Sequence, residues 1–122
     1  MTAVLFGIRN CDTVKKARAW LEQHRIEYRF HDFRADGLTA AQTGAWLREL
    51  GADTLINRRG TTWRQLDAQA RAIAESGDDA AVAALLATQP TLIKRPLLDI
   101  GHQRHVGFSA DTYGTLFQQH TL

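Results

Sequence analysis

Residues 3 to 8, AVLFGI, form a short unbroken apolar run. A strand buried on both faces has this pattern. A polar stretch follows, and apolar residues then recur at helical spacing through about His24. Val14, Ala17 and Leu21 lie on one stripe with Trp20 beside them. Asn10 or Asp12 is placed to cap that helix. IEYRFHDFR then alternates, with Ile26, Tyr28 and Phe30 facing one way and polar residues the other, which predicts a half-buried strand. Two apolar strands joined by one helix make a βαβ unit, so these strands are expected to be parallel.

Asp36 and Gly37 break the alternation. Thr39 predicts an N-cap, with a helix over 41–50 that stops at Gly51. INRRGTT, residues 56 to 62, reads as a polar loop. Two Ala-rich helices are expected over 66–75 and 78–87, separated by SGDD, with Asp78 and Asp79 favouring a helix start. In QPTLIKRPLLD, two apolar pairs flank Lys94-Arg95-Pro96, the pattern of a strand that starts at, or is interrupted by, a bend. Residues 103–107 are expected to pair with it as a hairpin. Ser109 caps a last helix over about 110–119, with Tyr113, Leu116 and Phe117 on one side. The chain thus reads as a βαβ half and a ββα half around one mixed sheet. That is the thioredoxin-like layout of the α/β class, here as a single domain over 1–122 with a helical insertion at about 39–88.

Composition narrows the function classes. The net charge is +2, and Lys and Arg are interspersed with acids along the whole chain. Without a basic block, no nucleic-acid partner is expected. No apolar stretch nears the ~20 residues of a membrane-spanning helix, and MTAVLFGIRN lacks the charged leader and long apolar core of a signal peptide. The single cysteine, Cys11, excludes an internal disulfide and suits the reducing cytoplasm. No long exposed apolar stripe is visible, so a monomer is expected. The five histidines include His102 and His105, but with no second cysteine and scattered spacing they predict no metal site.

A lone cysteine is by composition a small buried hydrophobe. Position changes that reading. Cys11 falls where the first strand hands over to the first helix, and a helix N-terminus presents unpaired N–H groups and partial positive charge. Arg9 precedes it, and Lys15 and Lys16 follow within the first turn or two. All of these favour thiolate over thiol, and the thiolate is the nucleophile. Asn10 reads either as an amide that orients the thiolate or as a turn cap. Pro96 marks either an edge strand or a cis Arg95–Pro96 bond that turns the chain back beside the cysteine, where the Arg95 guanidinium offers a fork for an oxyanion or carboxylate. Arg58 and Arg59, in a glycine-containing loop, read as an anion site or as solvated charges. Arg64 reads as a helix-surface charge.

Three stretches, FGIRNCDTVKKA, LINRRGTTWRQL and LIKRPLL followed by VGFSADTY, resemble the arsenate reductase-like family. Within it the chain is most similar to the YffB-like thiol reductases, and the resemblance spans essentially the whole sequence. It implies a thioredoxin-like fold with an inserted helical bundle. It places the family's catalytic cysteine at Cys11 and its oxyanion-holding arginine at Arg95, before Pro96. A second family arginine falls in the loop at 55–60, where Asn57 is aligned and Arg58 and Arg59 come just after. A third meets Val106 and Gly107, with Arg104 only an approximate substitute, so the oxyanion cage is incomplete.

The implied activity is that of a monothiol reductase with no bound cofactor. The Cys11 thiolate attacks an oxyanion, a small oxidised thiol or a mixed disulfide. Because no second cysteine resolves the intermediate, glutathione or a glutaredoxin completes the cycle. The backbone before Pro96, with Arg95 and Arg58 or Arg59, is expected to hold glutathione. The competing expectation is regulatory. The same family contains Spx-like proteins that bind RNA polymerase and typically carry a Cys-x-x-Cys switch, whereas this chain has Cys11-Asp12-Thr13-Val14.

Overall fold

The computed structural model describes residues 2–121, with side chains described for 2–118. In chain order the elements are β1 (Ala3–Gly7), α1 (Asp12–Gln23), β2 (Tyr28–Asp32), α2 (Phe33–Asp36), α3 (Ala40–Leu50), α4 (Ala52–Leu55), α5 (Thr61–Arg64), α6 (Ala68–Ala74) and α7 (Asp79–Thr88). A 3₁₀ turn (Pro90–Leu92), β3 (Leu97–Asp99), β4 (Arg104–Val106) and α8 (Ala110–Thr121) complete the order. The chain forms two compact units. One joins the chain up to Asp32 with the chain from Arg95 onward, and the other is Phe33–Lys94. No described helix is long and apolar enough to cross a membrane.

The first unit holds a four-stranded mixed sheet in the order β2-β1-β3-β4. The strands β1 and β2 are parallel, as the βαβ pattern requires, and β1–β3 and β3–β4 are antiparallel. The register sets Phe30, Leu5, Leu98 and His105 in one row across the sheet. Leu5, Leu98 and the fully buried Ala17 and Leu21 of α1 share a core with Tyr113 and Leu116 of α8, and Phe30 packs against it. Burying a side chain the size of Leu21 contributes about 2 kcal/mol, so this apolar stripe, more than helix propensity, holds α1 on the sheet. Tyr113 is the hub of the aromatic packing, with Phe108, Trp20 and His105 set edge-on at 4.8, 5.6 and 6.3 Å between ring centroids. Its buried hydroxyl has no hydrogen-bond partner among the described residues, and burial pushes its ionisation upward.

Gly7 sets the depth of the β1–α1 contact. A Cβ built there would stand 2.7 Å from Val14 Cγ2, closer than real side chains approach. The absence of a side chain at the end of β1 therefore lets the first turn of α1 lie against the strand.

The second unit is helical, with its boundaries written in its caps. Thr39 and Gln42 form a reciprocal capping box on α3, and Asp67 and Asp78 accept from the backbone N–H of Ala70 and Ala81 to start α6 and α7. The helix expected over 66–75 starts later for this reason. Thr43 donates to the carbonyl of Ala83 at 2.7 Å inside the α3–α7 contact. The segment 92–98 is divided. Leu92 closes the 3₁₀ turn, Ile93 bridges Ile56, and only from Leu97, past Pro96, does the chain join the sheet. Proline has no N–H for a ladder, so the strand starts after it. Two further boundaries move. The strand expected through Arg34 ends at Asp32, where the buried Phe33 opens the short α2, and part of the expected 56–62 loop is the single-turn α5.

Two outcomes follow from this packing. Gly7→Ala is expected to cost about 1–3 kcal/mol in urea denaturation, because Val14 or the helix must move to make room. His105 is half-buried, and burial lowers its pKa below the ordinary 6.5. The unfolded chain then binds the proton more readily, so stability present above pH ~6.5 is lost as pH falls from there toward the folded-state value. Denaturation midpoints at pH 7 and pH 5 are expected to differ less in His105→Gln than in the unsubstituted protein, and equal differences would remove His105 from the pH dependence.

Candidate active site

The cysteine ends a chain of local constraints. Strand β1 runs into Gly7, Ile8 turns inward, and Arg9 and Asn10 form an exposed turn. Cys11 is then itself the N-cap of α1, with extended backbone (φ −125°, ψ 122°), and its carbonyl accepts from Lys15 N at 2.9 Å. This corrects the expectation that Asn10 or Asp12 caps the helix, because no side chain does so. Asp12 is the first helical residue and Asn10 stays in the turn. The thiol is free and half-buried. Without a capping side chain, the first-turn N–H groups remain open to a thiolate or an anion.

The Arg95–Pro96 peptide is cis. Its place in the sheet follows from register. Leu97 pairs with Phe6 and with Val106, so Pro96 enters β3 at the end of the sheet where β1 leaves toward Cys11. The Pro96 carbonyl accepts from Gly107 N at 2.9 Å. Cys11, Asn10, Lys15, Arg95 and Pro96 therefore belong to one unit, with the cysteine turn and the Arg95–Pro96 turn at the same end of the sheet.

The hairpin explains the missing third arginine. Gly107 has φ +87°, a backbone state that disfavours any side chain. Arg104 pairs across from Asp99, two positions farther along the ladder than the Leu97–Val106 pair. It approaches Asp99 at 3.7 Å and donates to the Gly101 carbonyl at 2.9 Å, so it staples the hairpin turn.

Arg58 and Arg59 lie in the second unit. The strand-like ends of their loop are anchored, since Asn57 N donates to the Leu92 carbonyl at 2.7 Å and Lys94 N to the Leu55 carbonyl at 2.9 Å. The Asn57 side chain turns the loop by accepting from Arg59 N at 3.0 Å. Arg58 contacts Asp53 at 3.2 Å and lies 5.4 Å from the Trp63 ring centre. Arg71 contacts the same ring at 5.1 Å and donates to the Trp63 carbonyl at 2.8 Å. Arg59 is exposed, and its guanidinium has no partner among the described residues. Arg64, read as a surface charge, donates to the Arg59 carbonyl at 3.1 Å and so braces the loop.

The sequence signals place Arg18 among the cations around Cys11 but pass over Trp63 and Arg71 as loop anchors. The spacing Cys11, Lys15, Arg18 was a usable signal, because i, i+4 and i+7 share one helix face.

Comparison with known proteins shows the family and the fold. The solved structure of the YffB (PA3664) protein superposes with a TM-score of 0.86 at 44% identity, covering 93% of this chain and 97% of that one. An uncharacterized protein of Haemophilus influenzae is 43% identical over 118 residues, 93% of this chain and 96% of its own. The global transcriptional regulator Spx of Streptococcus pyogenes is 28% identical over 109 residues, 88% of this chain and 78% of its own. The profile of the ArsC family matches residues 6–116, a span that takes in the cysteine turn, the arginine loop and the Arg95–Pro96 turn, and the chain belongs to the ArsC family.

Proposed function

We propose that this chain is a glutathione-linked monothiol reductase that works on oxidised thiols in a reducing compartment such as the cytoplasm. The observation that carries the reading is the thiol at an uncapped helix N-terminus, at the sheet end where Arg95 and Pro96 enter β3. Such a terminus stabilises the charge of a thiolate.

In the first step the Cys11 thiolate attacks one sulfur of a substrate disulfide. A Cys11–sulfur bond forms, the substrate S–S bond breaks, and the other half leaves as a thiolate that takes a proton from water. In the second step a glutathione thiolate attacks the mixed disulfide on the substrate sulfur, which releases Cys11 as thiolate and a glutathione–substrate disulfide; a second glutathione thiolate then attacks the glutathione sulfur, frees the remaining substrate half as a thiolate and leaves glutathione disulfide. The substrate disulfide is reduced and glutathione is oxidised. The 122 residues hold no second cysteine, which supports an external thiol, supplied as glutathione or by a glutaredoxin, for this step. Arg95 holds the developing negative charge, and Asn10 and Lys15 line the approach to the sulfur. Within its own unit Arg59 is the freer of the two loop arginines, since Asp53 and Trp63 already hold Arg58.

The regulatory reading draws on the Spx relatives. Position 14, where a Cys-x-x-Cys switch needs its second thiol, is a fully buried valine here. Retention of RNA polymerase on the immobilised protein at micromolar concentration would favour that reading over catalysis.

Turnover of a mixed disulfide, followed by coupling glutathione oxidation to NADPH consumption, is expected to vanish in Cys11→Ser. It is expected to fall about 10²-fold in Arg95→Ala, the scale of losing one charge-stabilising donor. Intact-mass measurement of the unsubstituted protein treated with a glutathione-containing mixed disulfide is expected to show a glutathione adduct that Cys11→Ser lacks. Full turnover in Cys11→Ser would end the proposal.

A further inference from the structure

One flank of α1 carries a second feature beside the thiol. Cys11, Lys15, Arg18 and Glu22 stand at i, i+4, i+7 and i+11, so they share one arc of the helix, roughly 60° wide at about 100° per residue. The arc of Val14, Ala17 and Leu21, centred roughly 100° away, is fully buried, so the first arc lies on the flank of the helix. That flank forms one wall of a groove of about 590 Å³ lined by Arg9, Lys15, Arg18, Ala19 and Glu22. The groove starts at residues flanking the thiol, and its wall on α1, from Lys15 to Glu22, extends for about 10 Å at about 1.5 Å per residue.

Its charge is one-sided. Three cations face one carboxylate, and Glu22 already accepts from the Tyr28 hydroxyl at 3.1 Å. Arg18 is held in place. Its Nε donates to the Tyr28 hydroxyl at 3.0 Å, and its guanidinium lies 4.3 Å from the Phe30 ring centre. No other donor of Arg18 is engaged among the described residues, and Lys15 is exposed without an ion pair there. Arg9 meets Asp32 only at 3.7 Å with its side chain 74% exposed, a geometry of little strength. An arginine stacked on an aromatic ring presents its fork with little further ordering, which suits a carboxylate.

We infer that this groove is a substrate subsite and that the protein selects low-molecular-weight disulfides bearing carboxylates, with Arg18 and Lys15 determining that specificity. The inference rests on the reductase reading above. Arg18 is seven residues from Cys11, about 10 Å along the axis, so a carboxylate a few bonds from the attacked sulfur spans the interval. The bond changes are those of the first step: Cys11–sulfur forms, the substrate S–S bond breaks, and the departing half carries away the electron pair. The groove adds position and attraction.

The test is the rate of Cys11 with two aryl disulfides, the dicarboxylate 5,5′-dithiobis(2-nitrobenzoate) and the uncharged 2,2′-dithiodipyridine. The ratio of the two rates cancels any change in the reactivity of the thiolate itself. That ratio is expected to fall about tenfold in Arg18→Gln with Lys15→Gln, and several-fold at high salt, within the range of electrostatic steering. Lys15→Gln alone, at an exposed position, is expected to lower it about threefold, and Glu22→Gln to raise it. Equal ratios in the unsubstituted protein and the variants, with Cys11 reactive, would overturn the subsite and leave the reductase reading standing. A folded protein whose Cys11 reacts with neither probe would overturn both.

Discussion

Gly7 lets the Val14 side chain approach the β1 backbone, and that close approach decides where Cys11 stands. The strand delivers the chain to the end of the sheet, and the buried stripe of Val14, Ala17 and Leu21 fixes the rotation of α1. With the stripe turned inward, the flank beside it carries the exposed Lys15 and Glu22 and the half-buried Arg18. Packing of apolar residues thus sets the electrostatic surroundings of the thiol, although none of those apolar residues carries chemistry.

The same sheet brings in the second part of the site. Antiparallel pairing of β1 with β3 puts Leu97 beside Phe6, which brings the cis Arg95–Pro96 peptide to the end of β1. The β3–β4 hairpin then settles what cannot be there. Gly107 turns the chain in a left-handed conformation next to Pro96, and Arg104 is spent at the other end of the hairpin on Asp99 and Gly101. An arginine cage closed from the hairpin is therefore absent among the described residues.

In the helical unit, the arginine loop shows how adjacent identical residues acquire different roles. Arg58 is engaged by Asp53 and the Trp63 ring, whereas Arg59 contributes its carbonyl to Arg64 and leaves its guanidinium exposed. The difference arises from the Asn57 turn and the Ile56–Ile93 bridge, which aim successive side chains in different directions.

The sequence by itself determined the elements whose signals are local. The Val14–Ala17–Leu21 period, the Thr39–Gln42 capping box, the Asp78 cap and the Ser109 cap, which accepts from Thr112 N at 3.1 Å, mark helices wherever the chain lies. The parallel β1–β2 pairing followed from the connecting helix, and the cysteine's place at a helix start followed from both. Tertiary structure alone decided the rest. Local preference separates cis from trans before proline by only about 1 kcal/mol, so the Arg95–Pro96 isomer is a property of the folded surroundings. The hairpin register that separates Arg104 from Pro96, and the stacking that holds Arg18 on Phe30, depend on pairing between separate elements. Periodicity reports which face of an element is buried. Which side chain of another element meets that face is set by strand pairing and packing, and no local pattern encodes it.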